Sequence, residues 1–305
     1  MKETLLQVDN FTLSFHMYGQ GLRRQDLTVI SGLSMSLREG EVLAVVGSSG
    51  SGKSLMATAI MGLLPRNAET DGEIRYRGQP VTEKLLKPLR GREIVYVPQS
   101  VNNLDPRMKV GRQVQGIYGT REQVREVFRR YELSEDVEAM YPFQLSGGMA
   151  RRVLISMAVM HEAKMVIADE PTPGMSLDMA AETLRHFRRM ADDGAGVLLI
   201  THDIDLAMLA ADRVAVFYAG TIVEIAPRED FTGEGESLRH PYTRALWRAL
   251  PQSHFEPIAG RQPYAGTVTE GCRFADRCPM AEEACHEDVP LRELRGGEVR
   301  CRRAV

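Results

Sequence analysis

Cysteine is missing from the first 271 residues of this 305-residue chain, and tryptophan occurs once. A disulfide framework running through the main body is therefore excluded. An excess of basic charge is also missing: 38 Lys and Arg stand against 41 Asp and Glu, for a formal net charge of −3. A nucleic-acid surface draws on clustered, uncompensated cations, so no nucleic-acid partner is expected. No apolar run approaches the roughly 18 residues that a membrane helix requires. The first ten residues, MKETLLQVDN, lack the apolar core of a signal peptide. Together these absences predict a cytoplasmic protein. They leave room for peripheral attachment to a membrane partner. Internal repeats and low-complexity tracts are absent too.

What remains has ordinary globular composition, 43% hydrophobic and 26% charged. Short apolar strands (LLQV, FTLSF, the stretch around LSMSL, EVLAVV) open the chain. GKSLMATAIMGLL reads as a helix and EIRYRG as an edge strand. EIVYVPQ, MVIADEP and GVLLITHD read as buried strands, and SLDMAAETLRHFRRMADDG as a helix with a glycine stop. RVAVFYAGTIVEIA reads as a hairpin turning at Ala219-Gly220. Strands alternating with helices predict an α/β fold on a parallel core sheet. A helical block, about residues 107–163, interrupts it. REDFTGEGESLRHPYTR is polar and glycine-rich and reads as a linker into a short helix.

Gly47, Ser48, Ser49, Gly50, Ser51, Gly52, Lys53 and Ser54 fit the phosphate-loop pattern G-x-x-x-x-G-K-[ST]. Glycines let backbone N–H groups wrap a phosphate, and the following helix adds positive potential. Lys53 is expected on the β- and γ-phosphates and Ser54 on Mg²⁺. Asp169 and Glu170 end a buried strand, at the sheet edge where α/β proteins bind ligands. Asp169 suits a water-mediated hold on Mg²⁺, and Glu170 suits polarising the attacking water. Gln99 follows another strand and suits both tasks. His202 ends a third, where its imidazole suits the γ-phosphate. Each has a plainer reading: a flexible Gly/Ser loop, carboxylates capping a turn, a polar loop glutamine, a structural histidine.

A second phosphate-seeking feature stands at Leu145, Ser146, Gly147, Gly148 and Met149, just before the apolar helix ARRVLISMAVM. Its plain reading is a glycine-rich helix cap. Because the loop at 47–54 already cradles one nucleotide, the other reading gives this site to a nucleotide held by a neighbouring molecule.

In this order, GSSGSGKS, Gln99, LSGGM, MVIADEP and ITHD resemble the Walker A, Q-loop, signature, Walker B and switch-histidine motifs of the ABC ATPases. The resemblance covers about residues 4–250. It implies a P-loop nucleotide-binding domain with a parallel core sheet, an antiparallel β subdomain and an inserted helical subdomain. It also implies ATP and Mg²⁺ as cofactors, ATP hydrolysis, and a dimer that sandwiches ATP. An aromatic residue near the N-terminus stacks on adenine in this family; Phe15 fits best, with Tyr18 second. Asp178, in the loop after Walker B, falls where the family contacts the partner's site. Six residues, PTPGMS, separate Glu170 from Leu177-Asp178, a longer run than usual. ARR replaces the more usual RQR after the signature.

HPYTRALWRALP and CRFADRCPMAEEAC resemble the C-terminal region of importer ATPases for peptides, opines and nickel. The expected organisation is an ABC ATPase domain at 1–230 and a C-terminal extension at 231–305. The resemblance implies transport-coupled ATP hydrolysis on the inner face of the cell membrane. Implied partners are a second ATPase subunit, a paralogue forming a heterodimer, two integral membrane permease subunits and an extracytoplasmic solute-binding protein. A soluble ABC ATPase serving an enzyme complex, such as carbon–phosphorus lyase, is the alternative.

Cys272, Cys278, Cys285 and Cys301 are spaced C-x5-C, then x6, then x15. Gathered thiolates in a reducing compartment suit iron–sulfur or zinc, with free thiols as the remaining option. Zinc pairs usually sit two to four residues apart, unlike these. Some peptide-importer ATPases carry a [4Fe–4S] cluster on a similar cysteine pattern, and the resemblance implies one here.

Overall fold

The computed structural model describes residues 2–18, 24–117, 119–160, 163–251, 253, 255–264 and 270–304. The elements begin with β1 (Thr4–Tyr18), β2 (Arg24–Arg38), β3 (Val42–Val46), α1 (Lys53–Ile60), β4 (Ala68–Tyr76) and β5 (Gln79–Pro80). Next come α2 (Glu83–Leu86), β6 (Ile94–Val97), α3 (Val110–Gln115), α4 (Arg121–Arg130), α5 (Gly147–Val159), β7 (Met165–Asp169) and α6 (Leu177–Asp192). The chain closes with β8 (Gly196–Thr201), α7 (Ile204–Met208), β9 (Arg213–Tyr218), β10 (Thr221–Pro227), α8 (Pro241–Arg248), β11 (Arg292–Leu294) and β12 (Gly297–Val299). Contacts divide it into two compact units. The first is Met1–Glu3, Arg38–Val42 and Thr82–Ala210; the second is Thr4–Leu37, Leu43–Val81 and Ala211–Val305.

In the first unit, β6, β7 and β8 run parallel, with Val95 opposite Val166 and Val166 opposite Val197. Parallel strands covered on both faces read as continuous apolar runs, which is why MVIAD and GVLLIT carry no alternation. Their core continues into α4, α5 and α6 through Val127, Phe128, Val153, Leu154, Leu184 and Phe187. Helix α4 starts at a capping box, Thr120 with Gln123, and buries Val124, Val127 and Phe128 on one face. Helix α5 is buried nearly all round, and Arg151 lies among its buried residues. Helix α6 is capped by Ser176, and the chain leaves it through Gly194 at φ 103.

In the second unit, four strands pair in the order β2-β1-β4-β5. Two 15-residue strands, β1 and β2, replace the separate short strands expected there. A register shift between Asp9 and Thr12 breaks β1, with Asn10 at φ 47. That irregularity is what made one strand read as two. EIRYRG is not an edge: its strand, β4, pairs with β1 on one side and the two-residue β5 on the other. Strand β3 runs parallel to β9. The hairpin β9–β10 turns at Ala219 and Gly220 as expected, both at positive φ, the backbone that a two-residue hairpin loop needs. Strand β12 pairs antiparallel with β10, and β11 pairs antiparallel with β12.

The polar stretch expected to be a linker contains one of the most buried charged groups of the chain. Glu224 on β10 has no exposed surface, and Arg239 is 2% exposed. The Glu224 carboxylate accepts the backbone N–H groups of Arg239 and His240, each at 2.8 Å. The Arg239 guanidinium donates to Glu224, to Asp230 at 2.7 Å, and to the carbonyls of Leu294 and Arg295. A buried ion pair persists only when its remaining donors and acceptors are satisfied; here they anchor the start of α8 to β10 and the C-terminal hairpin.

Candidate functional site

In the second unit, the loop between β3 and α1 is shaped by backbone contact. A Cβ at Gly47 would lie 2.3 Å from the Phe217 carbonyl oxygen, so no side chain fits. Gly50 and Gly52 hold φ 74 and φ 111, which L side chains rarely adopt. Gly52 caps α1 without a side-chain hydrogen bond, so the helix N-terminus keeps donors available for an anion. Lys53 is buried, and its Nζ donates to the carbonyls of Gly47 and Ser48, each at 2.8 Å. Ser48 donates to the Gln262 side chain, linking the loop to the segment after α8. Ser51 is buried, while Ser49 is exposed and Ser54 half-buried. Phe15 is half-buried on β1 opposite Ala68. The Tyr18 side chain falls outside the described residues.

In the first unit, β7 delivers Asp169, 1% exposed, and Glu170, 6% exposed. The Tyr96 hydroxyl donates to Asp169 Oδ2 at 3.4 Å. Glu170 holds φ 47, a left-handed conformation for a residue with a side chain. Its N–H donates to the Ile200 carbonyl at 2.9 Å. His202 Nδ1 lies 2.9 Å from both Glu170 carboxylate oxygens. Since a carboxylate only accepts, Nδ1 carries the proton in this pairing. The His202 side chain is 60% exposed, and Gln99 is exposed. The sequence motifs thus bring Asp169, Glu170 and His202 to neighbouring strand ends.

The signature residues form the start of α5. Ser146 is its N-cap, accepting the Met149 N–H at 3.3 Å. Ser146 and Gly147 are exposed, Leu145, Gly148 and Met149 half-buried. A Cβ at Gly147 would meet nothing within 4 Å, and one at Gly148 would lie 3.5 Å from the Gly174 carbonyl. The lengthened loop after Glu170 therefore runs beside the signature, and Asp178, exposed, sits in the first turn of α6. Arg151 belongs to the ARR run that replaces RQR after the signature. The structure buries it, with Nη1 donating to the carbonyls of Pro98 at 3.2 Å and Glu170 at 3.1 Å. Burial lowers its pKa, and the nearby Glu170 and Asp169 carboxylates oppose that shift.

The four cysteines line one small cavity with His240, Met280, Val289, Arg302 and Arg303, and among the described residues no carboxylate lines it. Three thiols lie in turns where a backbone N–H two residues on points to the sulfur: Phe274 to Cys272, Met280 to Cys278, Arg303 to Cys301. Burial pushes the Cys272 thiol up to about 11 and raises Cys278 and Cys301 as well. His240 Nδ1 accepts the Tyr242 N–H at 3.0 Å, which leaves the proton on Nε2, 3.9 Å from the Cys272 sulfur. Arg277, beside Cys278, donates to the Tyr218 hydroxyl and to the carbonyls of Ile258 and Ala259. Among the described residues, no three His, Cys, Asp or Glu side chains close tightly enough to hold a single metal ion.

Residues 30–173 match the family model described as ABC transporter, and residues 223–285 match that of the oligopeptide/dipeptide transporter C-terminal region. The chain is 33% identical to the dipeptide transport ATP-binding protein DppD of Bacillus subtilis, over 96% of this chain and 92% of that protein. It is 33% identical to the oligopeptide transport ATP-binding protein OppD of Escherichia coli, over 90% and 87%. Among solved structures, the ATP-binding cassette MJ0796 in a dimeric, ADP- and phosphate-bound state superposes with a TM-score of 0.64. That match has 24% identity and covers 73% of this chain and 99% of the cassette.

Proposed function

Since the chain belongs to the ABC transporter family of ATP-binding subunits, with the C-terminal region of the oligopeptide and dipeptide transporters, we propose that it powers peptide uptake across the cytoplasmic membrane by hydrolysing ATP. In this reading the loop Gly47–Ser54 cradles the phosphates and Phe15 stacks on adenine. Ser54, Asp169 and Gln99 supply oxygen donors of the hard type that Mg²⁺ prefers. When bound, Mg²⁺ neutralises charge on the phosphates. Glu170 accepts a proton from the attacking water, and His202 holds the Glu170 carboxylate through its Nδ1–H. Leu145 to Met149 serve a partner's ATP. The observation that carries the dimer is Ser146 with Gly147, exposed at the N-terminus of an otherwise buried helix.

The partners are two permease subunits, a solute-binding protein and a second ATPase, a paralogue. No helix among the described residues is long and apolar enough to cross a membrane, so attachment runs through the permeases. The similarity to dipeptide and oligopeptide transport ATP-binding proteins favours peptides over nickel or opines, and transport over service to a soluble enzyme complex. Affinity capture of the tagged chain from solubilised membranes tests this. Recovery of two integral membrane proteins, with ATPase activity stimulated by a peptide-loaded solute-binding protein, is expected. Recovery of a soluble enzyme complex alone reverses the choice.

The extension at 231–305 is proposed to hold a [4Fe–4S] cluster on Cys272, Cys278, Cys285 and Cys301. Four thiols on one cavity fit the donor set, as do the three N–H···S turns and the two arginines in a lining without carboxylates. Such a cluster takes one thiolate per corner iron and staples a tail with little core of its own. Anaerobically purified protein is expected to be brown, with about four irons per chain. One zinc per chain, or four thiols titrating freely without metal, would replace the assignment.

A further inference from the structure

The signature helix reaches the proposed hydrolytic centre of its own chain through a buried guanidinium. Arg151 stands five residues after the Ser146 cap, on the face of α5 turned into the core of the first unit. Its Nη1 donates at once to the Pro98 carbonyl and the Glu170 carbonyl. The Pro98 carbonyl belongs to the peptide that leads into Gln99. The Glu170 carbonyl belongs to a residue held at φ 47, a conformation that persists only where its surroundings over-determine it. Three groups set that residue: the Ile200 carbonyl receives its N–H, Arg151 holds its carbonyl, and His202 holds its carboxylate.

We propose that Arg151 is the positioning residue that holds the Glu170 backbone and the Pro98–Gln99 peptide in one frame, fixed to the signature helix. Its chemistry suits the task. A guanidinium is planar and permanently charged, and its donors diverge at fixed angles, so one group can bind two carbonyls from different segments. A glutamine at this position offers one short amide. A lysine also has several donors on one nitrogen, but that nitrogen sits one bond nearer the backbone and falls short of the two carbonyls that Nη1 reaches. Both carbonyls sit on segments carrying proposed catalytic side chains, so the contact bears on turnover more than on the core. Displacing a reacting group by about 1 Å costs on the order of 100-fold in rate.

The inference rests on Glu170 as the hydrolytic carboxylate, which its own substitution tests separately. Arg151→Met and Arg151→Lys are to be compared with wild type in the assembled transporter. ATP binding is read by equilibrium titration, kcat and KM by steady-state hydrolysis. For Arg151→Met, kcat should fall by about 10- to 100-fold, while KM and ATP affinity stay within about threefold. Arg151→Lys should recover part of kcat. A folded Arg151→Met protein with unchanged kcat overturns the proposal. So does a parallel loss of ATP affinity and fold in both variants, which would make the arginine a structural strut. If only the Met variant fails to fold, the Lys variant decides: lowered kcat at constant KM supports positioning, and unchanged kcat overturns it.

Discussion

Glu170→Gln should bind ATP with near-normal affinity and hydrolyse it about 10²–10⁴ times more slowly, the contribution a positioned general base makes. The amide is nearly isosteric with the carboxylate and keeps an oxygen to accept the His202 Nδ1–H, now 2.9 Å from each carboxylate oxygen. It cannot take up a proton from water. The left-handed turn at residue 170 is held through backbone groups, the N–H on Ile200 and the carbonyl under Arg151, and both survive the substitution. Ground-state binding is therefore retained and the chemical step is lost, which appears in kcat and leaves KM nearly unchanged. A second consequence follows if Ser146 and its glycines complete a partner's site. ATP that is bound and not hydrolysed holds two ATPase subunits together, so the variant should accumulate a closed dimer on size-exclusion chromatography with ATP. Near-wild-type turnover would remove Glu170 from the chemistry. Slow turnover without dimer would leave Glu170 in place and detach the signature from the partner's nucleotide.

The elements legible in the sequence are those whose signal is local. The buried strands MVIAD and GVLLIT declared themselves by unbroken apolar runs, the turn at Ala219-Gly220 by its residues, and the loop at 47–54 by its glycines, of which Gly47 lies against the Phe217 carbonyl. What stayed hidden depends on contacts distant in sequence. REDFTGEGESLRHPYTR reads as a polar linker because Arg239 looks solvated until Glu224, fifteen residues earlier, is placed beneath it. Arg151 looks like one more charge in ARR, because the carbonyls of Pro98 and Glu170 that receive it are 53 and 19 residues away. The strain at Glu170 has no local signal at all, since Glu is no usual choice for positive φ. The β1 bulge concealed one long strand as two short ones. In each case the missing term was the partner, and only the fold supplies it.

Lys53→Ala should weaken ATP binding by about 100-fold or more, from about 3 kcal/mol for a truncated, desolvated charge contact. The buried ammonium is held by the carbonyls of Gly47 and Ser48, both at 2.8 Å. In the proposed site these contacts aim it across the loop whose backbone N–H groups would gather phosphate oxygens, and they keep a positive charge where a triphosphate would bring several negative ones. Alanine removes that charge and leaves the two carbonyls without their donor, so the loop loses both attraction for phosphate and part of its own bracing. The second effect is separable. Thermal unfolding without nucleotide reads the bracing, and equilibrium titration with a fluorescent ATP analogue reads the attraction. Lys53→Met, which keeps the buried stem and drops both the charge and the donor, should recover only the packing part of the unfolding temperature and lose affinity as Lys53→Ala does. The two Glu170 and Lys53 phenotypes should then be opposite in kind: one retains nucleotide and stalls, the other never fills. If Lys53→Met binds the analogue as wild type does, the loop at 47–54 is not the phosphate cradle, and a slow Glu170→Gln enzyme would need its nucleotide held elsewhere.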